Sequence, residues 1–365
     1  MGLPRLTVAG VTLAVLVLGA AAGPATASRQ PAMVAVFPVE NLSGGSVPAD
    51  AIRQSFVDRL AAEGIGVLDD GAFEAFMTRH RVRYTAGIDA ATAELLRQET
   101  GVDKVVIATV ELSSDLVPPK VALMARLVSI AAAPVVIWAD DASMSGDDAP
   151  GWFALGLVND YQTLLTRAMD RVAGSLLVHL KTGETGAVPK SAARFRPKMS
   201  YRSPALGPGQ TYSLAVVPFF NVSDRRNAGE ILALLFMRHL SGLPQFRVAE
   251  TGVIRRQLLD ARVIMDGGLA LSDADTVADL VDADFVLGGR VHRYADYEGP
   301  SGSTGVEFST VLIDRKSRRV VWSSSSYNDG GDGVRFFDRG RSRTAHAMAT
   351  QMVRLTAEMI AGRDR

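Results

Sequence analysis

Ile52, Phe56 and Leu60 recur at intervals of four, which sets them on one face of a helix aimed at a core. The interval returns at Leu232, Phe236 and Leu240, 180 residues later. Each helix follows a short apolar run that reads as a strand, VAVFPVENLS at 34–43 and LAVVPFFNVS at 214–223. Ala35/Ala215, Val36/Val216, Pro38/Pro218, Asn41/Asn221 and Ser43/Ser223 are identical in the two phrases. Further on, GVDKVVIATV (101–110) aligns with DADFVLGGRV (282–291), both β-branched runs of the kind buried on two faces of a sheet.

The correspondence continues to the end of each half. Val121–Ile130 with 135–138 (VVIW), and Val306–Ile313 with 319–322 (RVVW), each read as a hairpin of two strands around a short turn. Leu165, Met169, Val172 and Leu176 then share helical spacing with Met348, Met352, Leu355 and Met359. The expected fold class is α/β, two tandem copies of a mixed-sheet domain ordered strand, helix, strand, helix, helix, strand, hairpin, helix.

The remaining segments set the boundaries. Residues 1–27 carry Arg5, an apolar run from Leu6 to Ala22 and Ala25-Thr26-Ala27, the order of a secretory signal peptide cut before Ser28. The expected domains are 28–180 and 211–365, each folding by itself, joined by a basic Gly/Pro/Ser-rich linker at 181–210. The chain has no cysteine, so it offers no thiol for lipid attachment or disulfides, and no later segment is apolar enough to span a bilayer. The expected location is the periplasm, as a soluble protein that is not lipid-anchored, with association to the outer membrane left open. Net charge is zero and no broad basic face is evident, which argues against a nucleic-acid partner.

In the second half, LPQFRVAETGVIRRQLLDARV, DTVADLVDADFVLGGRV and VLIDRKSRRVVWSSS resemble the envelope domain of the curli-secretion subunit CsgG. They are also similar to the TolB amino-terminal domain and to the LpoB-like lipoprotein activators of penicillin-binding proteins. Val281 to Asp284 and Trp322 match the strand entry and the hairpin close of that pattern, with Val102-Asp103 and Trp138 in the first half. The Glu-Arg pair typical of relatives is Glu250-Thr251 here and Asp70-Gly71 in the first half. The resemblance implies a partner-binding envelope domain rather than a set of reactive groups.

Candidate chemistry is sparse. His80, His179, His239, His292 and His346 are scattered and read as surface or cap residues, without metal-ligand spacing. SGSTG (301–305) lacks a nucleophile elbow and NDGGDG (328–333) lacks the ligand alternation of a calcium loop, so both read as turns. SDADTVADLVDAD (272–284) reads as a capped helix start, and Asn41 and Asn221 as turn residues. No catalytic, cofactor or metal residue is assigned.

Two basic groups stand out: the linker's Lys190, Arg194, Arg196, Lys198 and Arg202, and a second-half set formed by the 315–319 turn with Arg335, Arg339, Arg341 and Arg343. The turn of the first half that corresponds to 315–319 is Ala131 to Pro134, so the charge is not needed for the fold. Arg225, Arg226, Arg315, Lys316, Arg318 and Arg319 are the candidate partner-binding residues, with the first half as a spacer. The expected function is non-enzymatic, an envelope interaction or assembly protein binding an envelope protein or an anionic envelope polymer, with oligomers allowed. A curli-type secretion subunit is the alternative, and its membrane hairpins would have to come from Glu111–Lys120 and His292–Gly305, which are short for that task. An exported hydrolase ranks third.

Overall fold

The computed structural model describes residues 33–148, 156–184, 193–207, 209–262, 283–296, 303–332 and 342–363, with Gly2 and Leu280. The signal-peptide expectation, most of the acidic run at 272–284, and Arg335, Arg339 and Arg341 lie outside them. Residues 32–365 form one compact unit. Among the described residues, no helix is long and apolar enough to cross a membrane.

The first half runs β1 (Met33–Val36), β2 (Glu40–Asn41), α1 (Ala49–Ala62), β3 (Gly66–Val67), α2 (Asp70–Arg79), α3 (Ala90–Thr100), β4 (Lys104–Ser114), β5 (Lys120–Ser129), β6 (Val135–Ser145) and α4 (Tyr161–Thr182). Its sheet, sheet A, has the order β3-β1-β4-β5-β6, with β2 also pairing β4. β1 runs parallel to β3 and β4, and β4-β5-β6 are antiparallel. One face, with Leu123, Ala125, Leu127 and Trp138, packs on α1 and α4. On the other face Val105, Ile107 and Val128 pack on Phe73, Phe76 and Leu96 of α2 and α3.

The second half repeats this plan: β8 (Tyr212–Val216), β9 (Phe220–Asn221), α5 (Ala228–Ser241), β10 (Phe246–Val248), α6 (Thr251–Asp260), β11 (Phe285–Ala295), β12 (Gly305–Asp314), β13 (Val320–Asp329) and α7 (Ala345–Ile360). Sheet B has the order β10-β8-β11-β12-β13-β7, where β7 is Met199–Arg202. Even the irregularities are duplicated. The β4-β5 ladder bulges at Glu111 and the β11-β12 ladder at His292, and each hairpin slips again beside its tryptophan, Trp138 or Trp322.

The repeated phrase is accounted for by turn chemistry. Asn41 Oδ1 accepts hydrogen bonds from the backbone N–H and hydroxyl of Ser43, and its amide donates to the Gly45 carbonyl. Asn221 does the same with Ser223 and Arg225. An Asn side chain closing its own turn leaves the intervening residues free to change, and they have changed.

The linker expectation meets a difference. Phe195, in a 3₁₀ turn at Ala193–Phe195, is buried in the second-half core, and β7 (Met199–Arg202) pairs antiparallel with β13. Residues 193–202 thus extend sheet B by one strand. Their lack of apolar period reflects an edge strand with one wet face.

The halves, called lobes below, also pack on one another. In α1 only Ile52, Phe56 and Leu60 are buried, whereas in α5 every residue from Ile231 to Leu240 is. A helix buried all round needs cover on both sides. Sheet B covers one side of α5; Leu42, Met124 and Val136 of the first lobe join the same core. A Cβ on Gly252 would run into the Ile88 backbone, so the lobes meet main chain to main chain there.

Candidate functional site

The seam between lobes is lined with charge set into apolar strands. Arg126, on β5, is 1% exposed and Glu250, the N-cap of α6, is fully buried. Arg126 donates from Nε to one Glu250 oxygen (3.1 Å) and from an Nη to the other (3.0 Å), and it also reaches the Ala86 carbonyl and the Thr251 hydroxyl. Nε and one Nη of this guanidinium thus share four acceptors, among them the carboxylate that a buried cation requires.

A second charged group lies along β6. Arg238 of α5 pairs with Asp140 (2.5 Å) and Asp141 (2.6 Å). His346 of α7 stands 2.9 Å from Glu111 and 3.3 Å from Asp141. Burial works to lower the His346 pKa, but the carboxylates of Glu111 and Asp141 outweigh it and raise it to about 10. Burial opposes charge on Asp141 as well, yet Arg238 and His346 hold its carboxyl well below the usual range. Burial pushes Glu111 up. Nearby, Arg225 donates to the Ser43 and Glu111 carbonyls of the first lobe, and Asn227 donates to that of Leu42.

Beside this seam is a cleft of about 180 Å³. Leu42, Val216, Leu234 and Ile254 give it apolar walls, and Glu40, Glu230, Tyr84 and Arg255 give it polar ones. Burial raises the Glu40 carboxyl to about 7 against the pull of Arg126, and raises Tyr84 to about 12. Arg255 stacks 4.4 Å over the Tyr84 ring.

The third feature is a sheet face. Sheet A turns Thr109, Met124 and Asp141, one row across β4-β5-β6, towards the second lobe. The row in the same register of sheet B is Arg290, Ser309 and Ser325, continued by Met199 of β7. The adjacent row is Val311, Ser323 and Tyr201, and on the other side Glu307 faces Tyr327. This face is open to solvent: Met199 is 70% exposed, Tyr327 55% and Tyr201 52%. Its edges are basic, with Arg290 over the Phe220 ring, Lys198 over the Tyr327 ring, and exposed His292 beside Ser309.

The six candidate partner-binding residues do not form one patch. Arg225 is occupied at the seam, and Arg226 is exposed next to it. The 315–319 turn, with exposed Lys316, Arg318 and Arg319 and half-buried Arg315, lies at the opposite end of β11, where Phe285 pairs with Asp314. The two ends are roughly 30 Å apart by strand rise. Nor is the first lobe a mere spacer, because its sheet is the surface on which α5 and α7 dock. Arg343, from the second basic group, pairs with Asp147 of the first lobe.

The histidine reading is corrected. His346 and His239 are buried, 1% and 8% exposed: α7 points His346 at Glu111 and Asp141 of the first lobe, and His239 lies against Arg238 of α5 and Thr350 of α7. The spacing of histidines alone could not show this. The signal was on the other strands: Glu111, Arg126, Asp140 and Asp141 are charges inside otherwise apolar runs, where buried charge demands a partner. Of the turn expected at 328–333, Asn328 and Asp329 end β13 and bond to Asp332 across a turn at 330–332, with residue 333 outside the described residues; Asn41 and Asn221 close turns as expected.

No protein-family model and no curated protein matches the chain. Solved structures do. The PelC dodecamer from Paraburkholderia phytofirmans matches at 20% identity and a TM-score of 0.31, over 45% of this chain and 96% of the other. Lipoprotein GNA1162 from Neisseria meningitidis matches at 23% identity and a TM-score of 0.29, over 40% and 99%. The LpoB C-terminal domain from Salmonella enterica matches at 15% identity and a TM-score of 0.27, over 31% and 82%. An LpoB domain is thus among the similar solved structures, at low TM-score and over part of the chain.

Proposed function

We propose that the protein is an exported, non-enzymatic interaction protein of the cell envelope that holds a protein partner on the open face of sheet B. The supporting observation is internal to the molecule. The equivalent face of sheet A already serves as a docking surface, and its occupant is an α-helical layer with an apolar centre and charged edges. Among the described residues sheet B presents the same surface without an occupant, and its residues suit one: Met199, Tyr201, Val311 and Tyr327 offer apolar contact. Aromatic residues, Met and Arg are the types enriched in protein interfaces. Sheet A's docked face is edged with acids that meet basic helices, whereas Arg290, His292 and Lys198 edge sheet B with bases, so the matching helix carries acidic residues. Arg226, Lys316, Arg318 and Arg319, at the two ends of the sheet, steer that partner through long-range attraction.

The experiment is site-specific photocrosslinking in cells, with the reactive residue at Tyr327 and, as a control, at exposed Thr166 on α4. A discrete crosslinked protein from Tyr327, absent from Thr166 and lost with Tyr201→Glu, is expected. The same products from both positions would overturn the reading.

A further inference from the structure

We propose that the seam cleft is a binding site for a small primary ammonium compound with a short apolar tail. Two carboxylates, Glu40 from the first lobe and Glu230 from the second, line the cleft, and neither is in an ion pair among the described residues. The nearest strong cation, Arg126, is committed to Glu250, the Ala86 carbonyl and Thr251. Glu40 is left with a single long hydrogen bond, 3.3 Å, from the Thr109 hydroxyl. A half-buried carboxyl whose neighbouring cation, Arg126, is already paired with Glu250 is an unfavourable arrangement that a cationic ligand relieves.

The rest of the cleft selects the ligand's shape. Leu42, Val216, Leu234 and Ile254 offer no hydrogen bonds and favour an alkyl tail. Arg255, stacked on Tyr84, brings a positive charge to the wall, which disfavours a second cationic group on the ligand. A volume of about 180 Å³ admits a molecule of several heavy atoms and excludes a peptide or a nucleotide. Because each lobe supplies one of the two carboxylates, an occupied cleft also fastens the seam.

The groups that face Glu40 are Arg126, Thr109, Glu111 and Glu230, with Tyr84 across the cleft. Burial raises Glu40 to about 7, so an ammonium ligand binds the ionised form and competes with a proton. Ammonium affinity therefore rises between pH 6 and pH 8 while the ligand itself stays charged.

The test is isothermal titration of the intact mature chain with n-butylammonium, 1-butanol and butyrate. Saturable binding of n-butylammonium, about tenfold or more tighter than 1-butanol, is expected from a charge-assisted hydrogen bond, since 1.4 kcal/mol is a tenfold change. Glu40→Gln should remove that advantage and its pH dependence while the variant melts cooperatively. Glu230→Gln should weaken ammonium binding too, and it serves if Glu40→Gln fails to fold. Equal affinities for the amine and the alcohol, or no saturable binding of the amine, overturn the proposal. Neither outcome bears on the open face of sheet B, whose test uses crosslinking.

Discussion

Arg126 and Glu250 are 124 residues apart in sequence and form a doubly hydrogen-bonded ion pair with 1% and 0% of their side chains exposed. The pair crosses the lobe seam, and its energetics are asymmetric. Removing one member leaves a buried charge, which costs about 3–5 kcal/mol, whereas removing both for apolar residues of similar size is far cheaper. Arg126→Met and Glu250→Leu should each lower the denaturant midpoint strongly, and the double variant should recover much of the loss. Additive losses in the double variant would show that the two residues act separately.

The pH dependence of stability follows from His346. Its folded pKa, about 10, lies above the ordinary imidazole value, so the folded state holds a proton that the unfolded state gives up sooner. The stabilisation is fully present below about pH 6.5 and is lost as pH rises towards 10. Glu40, raised to about 7, adds in the same direction between its unfolded value and neutrality. Stability measured by denaturant should therefore fall between pH 6.5 and pH 9, by an amount on the order of a few kcal/mol. His346→Gln should flatten the part above pH 6.5. A stability that rises over that interval would refute the protonated His346.

Most of the fold was readable because it was written twice. A helix face such as Ile52, Phe56 and Leu60, confirmed by Leu232, Phe236 and Leu240, is a period seen in two independent copies. The differences between copies held the rest. Leu234 and Arg238 of α5 stand where α1 has Gln54 and Asp58, and that contrast marks α5 as covered on its second side. The seam was not legible in either half alone because its partners are more than a hundred residues apart, as Arg126 and Glu250 are. β7 was missed because one exposed edge strand of MSYR carries no run of alternation long enough to read.

Gly252 tests the close approach of the two backbones. Ala is ordinarily preferred over Gly in a helix such as α6 by roughly 0.5–1 kcal/mol. Here the added methyl would meet the Ile88 main chain, which has no rotamer through which to yield. Gly252→Ala should therefore destabilise, by about 1–3 kcal/mol as overpacking does. Gly174→Ala on α4, where nothing lies within 4 Å of the new Cβ, should be neutral or stabilising. Equal effects at the two positions would mean that the lobes are not in contact at Gly252.

The seam also decides how the chain unfolds. Leu42, Met124 and Val136 belong to the core built around α5, and β6 contributes Asp140 and Asp141 to Arg238. A second lobe expressed alone, as residues 193–365, would expose the outer face of α5 with Leu234 uncovered and Arg238 unpaired. A first lobe alone, as residues 28–184, would leave Arg126 and Glu111 without partners on an open sheet. The intact chain should therefore melt in a single transition, with Phe56→Ala and Phe236→Ala each costing about 3–5 kcal/mol and moving that same transition. The isolated second lobe should self-associate through the uncovered helix, detectable by light scattering, and Leu234→Gln, the residue α1 has at that place, should reduce the association. Two resolved transitions in the intact chain, or a monomeric second lobe as stable as the whole, would show that the seam is a loose contact.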